Sequence, residues 1–344
     1  MHRPATDASN FPDAGVISCY TDSMSSFLDR TLDWLVFPGY DATGYHLRKL
    51  SWDKSETDVD LKGRQALVTG ANQGIGRATT EGLVQRGAHV HMVCRNREKG
   101  TQALKEILSR DWPGTAELHV VDVSNGSALM DFLRRFQAEH EALDILVNNA
   151  GVLLDKRQQS ADGLEMTFAV NIRAPFLITE TLFPLLIRSP DARVIQVSSG
   201  GMYLAPINFE DLLWEKRPFD GVMAYAETKR GENLLTRVWA EKWKDTNIKI
   251  NSMHPGWADT QSVKDSLPIF RAITAPFLRN PEQGADTIVY LACKPDLKAS
   301  GKFFSDRRER PMDRIRKTVL SDEQIEQYYN TIKEISFDGL IQPV

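Results

Sequence analysis

Short apolar runs alternate with longer segments of helical spacing from Gln65 onward. Ala66–Thr69, His89–Cys94, Glu117–Val121, Ile145–Asn148, Val194–Ser198, Lys249–His254 and Lys302–Phe304 read as strands. Between them Ala78–Arg86, Lys99–Arg110, Ala128–Glu139, Leu164–Ile187, Tyr225–Lys244 and Pro281–Ala292 repeat their apolar residues with the period of an α-helix. Apolar strands separated by helices predict βαβ units. The fold class is therefore α/β, a doubly wound Rossmann-type parallel sheet with helices on both faces.

Two flanks leave this rhythm. Residues 1–60 read as an N-terminal extension with one amphipathic helix, Phe27–Phe37, ended by Pro38-Gly39. Asp29 and Asp33 on that helix favour packing over membrane contact. Residues 61–306 form the Rossmann-type domain. Residues 307–344 add a basic run (Arg307, Arg308, Arg310, Arg314, Arg316 and Lys317) and a final helix. Ser321-Asp322-Glu323-Gln324 has the capping-box pattern that starts such a helix, with Ile325, Tyr328, Ile332 and Ile335 on one face.

Composition narrows the class. The 344 residues are 42% hydrophobic and 26% charged, an ordinary globular balance, and a net charge of -4 argues against nucleic acid as a partner. Cys19, Cys94 and Cys293 are too scattered for a disulfide framework or a zinc site, so no metal site is expected. The N-terminus lacks the apolar stretch of a secretory signal, and Pro175–Ile187 is too short and too interrupted to span a bilayer. A cytoplasmic protein, at most peripheral to a membrane, is expected.

The chemistry is concentrated in a few segments. Thr69-Gly70-Ala71-Asn72-Gln73-Gly74-Ile75-Gly76 follows the first strand and opens a helix. Gly70, Gly74 and Gly76 suit a tight turn, close backbone approach to a pyrophosphate, and close helix packing. The helix N-terminus beyond them favours phosphate. A carboxylate at the end of the second strand would bond the ribose hydroxyl of NAD; this chain has Cys94-Arg95-Asn96-Arg97, with Arg77 after the glycine turn. Arginine suits a phosphate dianion, so NADP(H) is favoured over NAD(H). Asp122, with Val123 beside it, ends the third strand, where it can accept from an adenine amino group or cap a helix before Asn125.

Tyr225 and Lys229 stand four apart, one turn apart on a helix face. A phenol ordinarily ionises near pH 10, and a neighbouring ammonium favours the phenolate. Such a pair can pass a proton to or from a substrate oxygen, with Ser199 bonding the same oxygen.

These segments together resemble the short-chain dehydrogenase/reductase family over roughly residues 60–306. The resemblance rests on the glycine turn, Asn148-Asn149-Ala150-Gly151, Asn171, Ser199, Tyr225-(x)3-Lys229 and Pro255-Gly256. It implies a catalytic tetrad of Asn171, Ser199, Tyr225 and Lys229, with Asn171 holding a water in a proton relay with Lys229. It also implies that Asn149, Ala150 and Gly151 line the nicotinamide side, that Pro255 and Gly256 turn beside the cofactor, and that Thr260 contacts the carboxamide. Ser199 and Tyr225 lie 26 positions apart, an insertion shared with retinol-dehydrogenase-like members. His254, with no partner at ligand spacing, is read as structural.

Leu153, Leu154, Met202, Tyr203, Phe209, Trp214, Phe219, Trp257 and the segment 267–277 are expected to wall an apolar cleft. That suits a lipophilic alcohol or carbonyl such as a retinoid, steroid or fatty aldehyde. The reading is an NADP(H)-dependent oxidoreductase for such a pair, acting on CH–OH donors. Alternatives are an NADP(H)-binding sensor with little turnover, which would not need Tyr225 and Lys229, and carbon–carbon double-bond reduction. By analogy with the family a homo-oligomer is open, built through Leu164–Ile187 and Tyr225–Lys244.

Overall fold

The computed structural model describes residues 29, 31–33, 39–258 and 278–340. The chain divides into two compact units, Met1–Trp52 and Asp53–Val344. In the first, helix α1 (Ala42–Lys49) is capped by Asp41, whose carboxylate accepts from the amides of Thr43 and Gly44. Asp29 is buried and paired with Arg48 at 2.8 Å. Most of the expected helix Phe27–Phe37 lies outside the described residues, although Asp29 and residues 31–33 are helical.

The second unit is built on an eight-stranded sheet. Its strands are β1 (Gln65–Thr69), β2 (His89–Cys94), β3 (Thr115–Val120), β4 (Ile145–Asn148), β5 (Ala192–Val197), β6 (Ile248–His254), β7 (Phe303–Ser305) and β8 (Arg308–Arg310). The spatial order is β3-β2-β1-β4-β5-β6-β7-β8. All neighbours run parallel except β7 and β8. The order reverses between β1 and β4, and in such sheets ligands bind in the crevice beyond the carboxyl ends of the strands at that point. The helices are α2 (Gly74–Val84), α3 (Arg97–Leu108), α4 (Gly126–Glu139), α5 (Ala174–Thr181), α6 (Gly221–Lys242), α7 (Pro281–Cys293) and α8 (Asp322–Phe337).

The central strands are buried on both faces, as helices on both sides require. One core lies among α4, α5, α6 and α8, around Phe136, Phe176, Trp239 and Tyr328. The other lies under α2, α3 and α7, around Val68, Val90, Ile195 and Ile288.

Three features differ from the expected elements. Leu164–Ile187 is broken: a π-turn at Ala169–Arg173 leads into α5, and Leu182 separates α5 from a short turn at Phe183–Leu186. Pro175 and Pro184 each sit at the start of the helical piece that follows, where a missing amide is tolerated. The basic run includes a strand, β8, which among the described residues pairs with β7 alone at the sheet edge, where charged residues are at home. The final helix has the expected capping box, formed by Ser321 and Gln324, and buries Ile325, Tyr328 and Ile332 against α5 and α6. Among the described residues, no helix is long and apolar enough to cross a membrane.

Candidate active site

The glycine turn follows directly from β1. Gly70 (φ 67°) and Gly74 (φ 56°) occupy the left-handed region, which disfavours a side chain. At Gly76 a Cβ would lie 2.3 Å from Gly70 O and 2.5 Å from Asn149 Nδ2. Helix α2 starts at Gly74, and its N-cap Gln73 supplies no side-chain bond to the first amides. Those amides are left to an external acceptor, and around a Cβ at Gly74 the space is open. Such a cradle fits the diphosphate of a dinucleotide.

Thr69 ties this turn to the end of β4. Its Oγ1 accepts from Asn149 N at 3.0 Å and Ala150 N at 2.9 Å, and its carbonyl accepts from Asn149 Nδ2 at 2.8 Å. The Asn149 amide, expected on the nicotinamide side, thus braces the glycine turn.

The end of β2 adjoins the same turn, because Val93 O accepts from Gly70 N and Ala71 N at 2.8 and 3.4 Å. Arg95 and Arg97 are exposed there. Arg77 is engaged differently. Glu81 at 2.9 Å and Glu106 at 2.7 Å hold its guanidinium and, against partial burial, raise its affinity for its proton. Asp122 is exposed, with Oδ1 accepting from Ser124 N and Ser124 Oγ, while capping of α4 falls to Asn125. Val123 is half-buried behind it.

Tyr225 and Lys229 lie on α6, whose first turn is capped by Asp220. Tyr225 is half-buried; Lys229 is buried, its Nζ 5.5 Å from the Tyr225 ring centroid. Lys229 Nζ donates to Val197 O at 2.9 Å and to Glu232 Oε1 at 2.7 Å. An ammonium has three donors, so one remains for a ligand. Burial works against the Lys229 charge, but Glu232 and the nearby phenol outweigh it and hold its proton more tightly than usual. Burial in turn pushes the Glu232 carboxyl up to about 7, with Lys229 opposing. Its second oxygen, Oε2, is buried and has no hydrogen-bond partner among the described residues.

Asn171 sits in the π-turn, the kind of helix irregularity that often marks a functional site. Its Oδ1 accepts from Val152 N at 2.9 Å, and its Nδ2 donates to Val152 O and Thr228 Oγ1, each at 3.0 Å. A Cβ on Gly151 would lie 3.4 Å from Lys229 Nζ and 3.5 Å from Asn171 Oδ1. Gly151, Asn171 and Lys229 therefore converge. The two serines differ sharply. Ser198 is buried, donating to Lys229 O and accepting from Asn233, both at 2.7 Å. Ser199 is half-buried, and its Oγ accepts from Gly201 N at 3.1 Å.

At the Pro255-Gly256 turn, Gly256 has φ 77° and a Cβ there would lie 2.3 Å from the Arg279 guanidinium. Arg279 is fully buried and bidentate to Asp306 at 2.6 and 2.9 Å, and it also donates to Pro255 O at 3.3 Å. His254 is buried beside this pair; burial, with the Arg279 charge, lowers it to about 3. Thr260 and the segment 267–277 lie outside the described residues.

Part of the expected cleft wall is core instead. Met202 and Tyr203 pack on Phe303, and Tyr203 OH donates to Pro311 O at 2.6 Å. Trp214 is buried in the loop before α6, with Phe219 at its edge and the Arg217 guanidinium 3.5 Å over its ring. Phe209 meets Tyr328 of α8. The tail from Phe303 to α8 meets Met202, Tyr203 and Phe209, a contact that one-dimensional spacing does not reveal. Leu153, Leu154 and Trp257 remain half-buried. Glu232 and the Arg279–Asp306 pair are absent from the sequence reading; only the position of Glu232 three residues after Lys229 hinted at contact.

A family model described as short chain dehydrogenase matches residues 64–268. The chain belongs to the short-chain dehydrogenase/reductase family and is an oxidoreductase acting on CH–OH donors, with a nicotinamide dinucleotide as the family's cofactor. It is 41% identical over 271 residues to the human (Homo sapiens) dehydrogenase/reductase SDR family member 12, covering 78% of this chain and 84% of that relative. It is 35% identical to mouse (Mus musculus) retinol dehydrogenase 12, over 73% of this chain and 80% of that protein. A solved 3-oxoacyl (acyl-carrier-protein) reductase from Agrobacterium tumefaciens with NADP bound is 26% identical, with a TM-score of 0.58, covering 73% of this chain and 97% of that one.

Proposed function

We propose that this protein interconverts a carbonyl and an alcohol on a lipophilic small molecule with NADP(H), using Tyr225, Lys229, Ser199 and Asn171. The observation that carries the reading is the convergence of Lys229 Nζ and Asn171 Oδ1 on Gly151, one helical turn from the Tyr225 phenol.

When bound, the nicotinamide supplies or accepts the hydride. The remaining work falls to side chains. Tyr225 gives its phenolic proton to the carbonyl oxygen as the alcohol forms, and takes it back in the reverse direction. The Lys229 ammonium stands beside the Tyr225 ring, and its third donor is available to a cofactor ribose hydroxyl. Ser199 Oγ–H bonds the same substrate oxygen as its charge develops. Both amide protons of Asn171 are taken by Val152 O and Thr228 Oγ1. Its part is therefore to fix the chain after Gly151 against α6, rather than to carry a relay on its own side chain. Ser198 supports the backbone of Lys229 and takes no part in proton transfer.

Arg95, exposed beside the glycine turn and not neutralised as Arg77 is, supports the preference for NADP(H). The NADP-bound structural relative points the same way. The retinol dehydrogenase relatives and the half-buried Leu153, Leu154 and Trp257 support a lipophilic substrate.

The test is NADPH consumption against retinoid, steroid and aliphatic carbonyls, with Tyr225→Phe beside the wild type. Turnover lower by roughly 10²–10⁴-fold in the variant supports the reading; equal turnover in both proteins sinks it. For the cofactor, Arg95→Ala is expected to weaken NADPH binding about tenfold or more while leaving NADH unchanged.

A further inference from the structure

Four titratable side chains gather on β2 and β3, with a fifth, His140, just after α4, away from the glycine turn and the tetrad. His89-Val90-His91 begins β2, and Glu117-Leu118-His119 lies in β3. Alternate residues of a strand share a face. The parallel register sets His91 against Glu117, His89 against Thr115, and His119 against Val93. All four of His89, His91, Glu117 and His119 therefore point to one side of two adjacent strands. Helix α4 covers that side: the His91 ring meets Phe136 at 4.8 Å and His140 at 4.6 Å between centroids.

The donor atoms converge. Glu117 Oε1 lies 2.5 Å from His91 Nδ1, 3.1 Å from His119 Nε2 and 3.8 Å from His89 Nε2. His91 Nδ1 and His119 Nε2 are 3.2 Å apart. Ligand atoms of a tetrahedral site with bonds of about 2.0–2.1 Å stand ~3.3 Å from one another, close to this spread. The His91 ring adds a second argument. It is fully buried, and both its nitrogens face oxygen, Glu117 Oε1 at Nδ1 and Gln65 Oε1 at 3.2 Å from Nε2. A neutral imidazole has one proton for these two oxygens. With Nε2–H donated to Gln65, Nδ1 turns a lone pair toward a carboxylate, an arrangement that a cation between them resolves. A ligating histidine ordinarily has its other nitrogen held in this way.

We propose that His89, His91, Glu117 and His119 form a binding site for one divalent transition-metal ion of the zinc class, tying edge strand β3 to β2. Imidazole with a single carboxylate suits zinc, and no thiolate is needed. The sequence reading that expects no metal site weighed cysteine spacing and His254, and Glu117 and His119 meet the β2 histidines only through the β2–β3 register.

The test uses the full chain, stripped of metal by a chelator, with Co²⁺ or Zn²⁺ alone as the probe. One equivalent of Co²⁺ is expected to give the visible absorption of a tetrahedral site, to be displaced by Zn²⁺, and Zn²⁺ is expected to raise the thermal midpoint. Glu117→Gln and His119→Ala alter partly exposed ligands, so both are expected to fold. Each is expected to bind at least about tenfold more weakly and to lose the thermal shift. Their far-UV circular dichroism and NADPH turnover should match the wild type. A wild type that takes up no stoichiometric ion, or undiminished binding in both variants, would overturn the site and leave a hydrogen-bonded histidine cluster.

Discussion

Two buried ion pairs flank the candidate active site, and they are satisfied to different degrees. Arg279 and Asp306 meet through two parallel bonds, and Arg279 also holds Pro255 O. Lys229 and Glu232 meet through one bond, and Glu232 Oε2 has no partner among the described residues. The first pair fixes a turn. In the second, burial has brought the carboxyl to about 7, where gaining or losing a proton takes little free energy near neutral pH. A clamp and a pair within the candidate site thus use the same raw material, and the count of bonds around the acid separates them.

The comparison can be broken most forcefully at the clamp. Arg279→Met strands the Asp306 charge and is expected to cost about 3–5 kcal/mol in chemical denaturation, while Arg279→Met with Asp306→Leu recovers most of that. A loss below about 1 kcal/mol would show that the clamp is dispensable. Lys229→Met is expected to lower kcat/KM by roughly 10²–10⁴-fold, yet to cost less stability than Arg279→Met, because Glu232 can take up a proton when its partner is gone. Equal losses of stability in the two variants would erase the distinction.

Smaller effects sharpen it. Gly256→Ala places a methyl against the Arg279 guanidinium and strains a backbone at φ 77°, for an expected ~1–3 kcal/mol measured by urea unfolding. Glu232→Gln bears on pH. The folded value of Glu232, about 7, lies above the unfolded value near 4.3, so the folded state binds the extra proton between them. Its contribution to stability is fully present below pH ~4.3 and is lost as pH rises through 7. Thermal midpoints of Glu232→Gln should fall less than those of the wild type across that window; parallel curves would remove Glu232 from the titration.

The parts of the site that were legible in sequence are the local ones. Gly70, Gly74 and Gly76 sit in one turn, Tyr225 and Lys229 share one helix face, and Ser321 with Gln324 caps one helix. Their physics is complete within a few residues. Contacts made by distant segments were hidden. Arg279 and Asp306 are 27 positions apart, and Tyr203 bonds Pro311 across 108. Met202 and Tyr203 read as cleft wall because an apolar residue looks the same whether it faces a ligand or Phe303. Leu164–Ile187 read as one helix because apolar spacing carries across the π-turn that sets Asn171. Strand β8 was invisible as a strand because its arginines and glutamate carry no apolar alternation.

Helix α8 lies against α6, the helix that carries Tyr225 and Lys229. Gly231 leaves room for the Tyr328 hydroxyl, where a Cβ would come within 2.0 Å, and Glu180 accepts from both Trp239 and Tyr329. Proteins are made from the N-terminus, so the glycine turn leaves the ribosome before α8. Until α8 follows, α6 lacks the cover that Tyr328 gives it at Gly231. A nascent chain thus makes the glycine turn before the helix that carries Tyr225 and Lys229 is braced by α8.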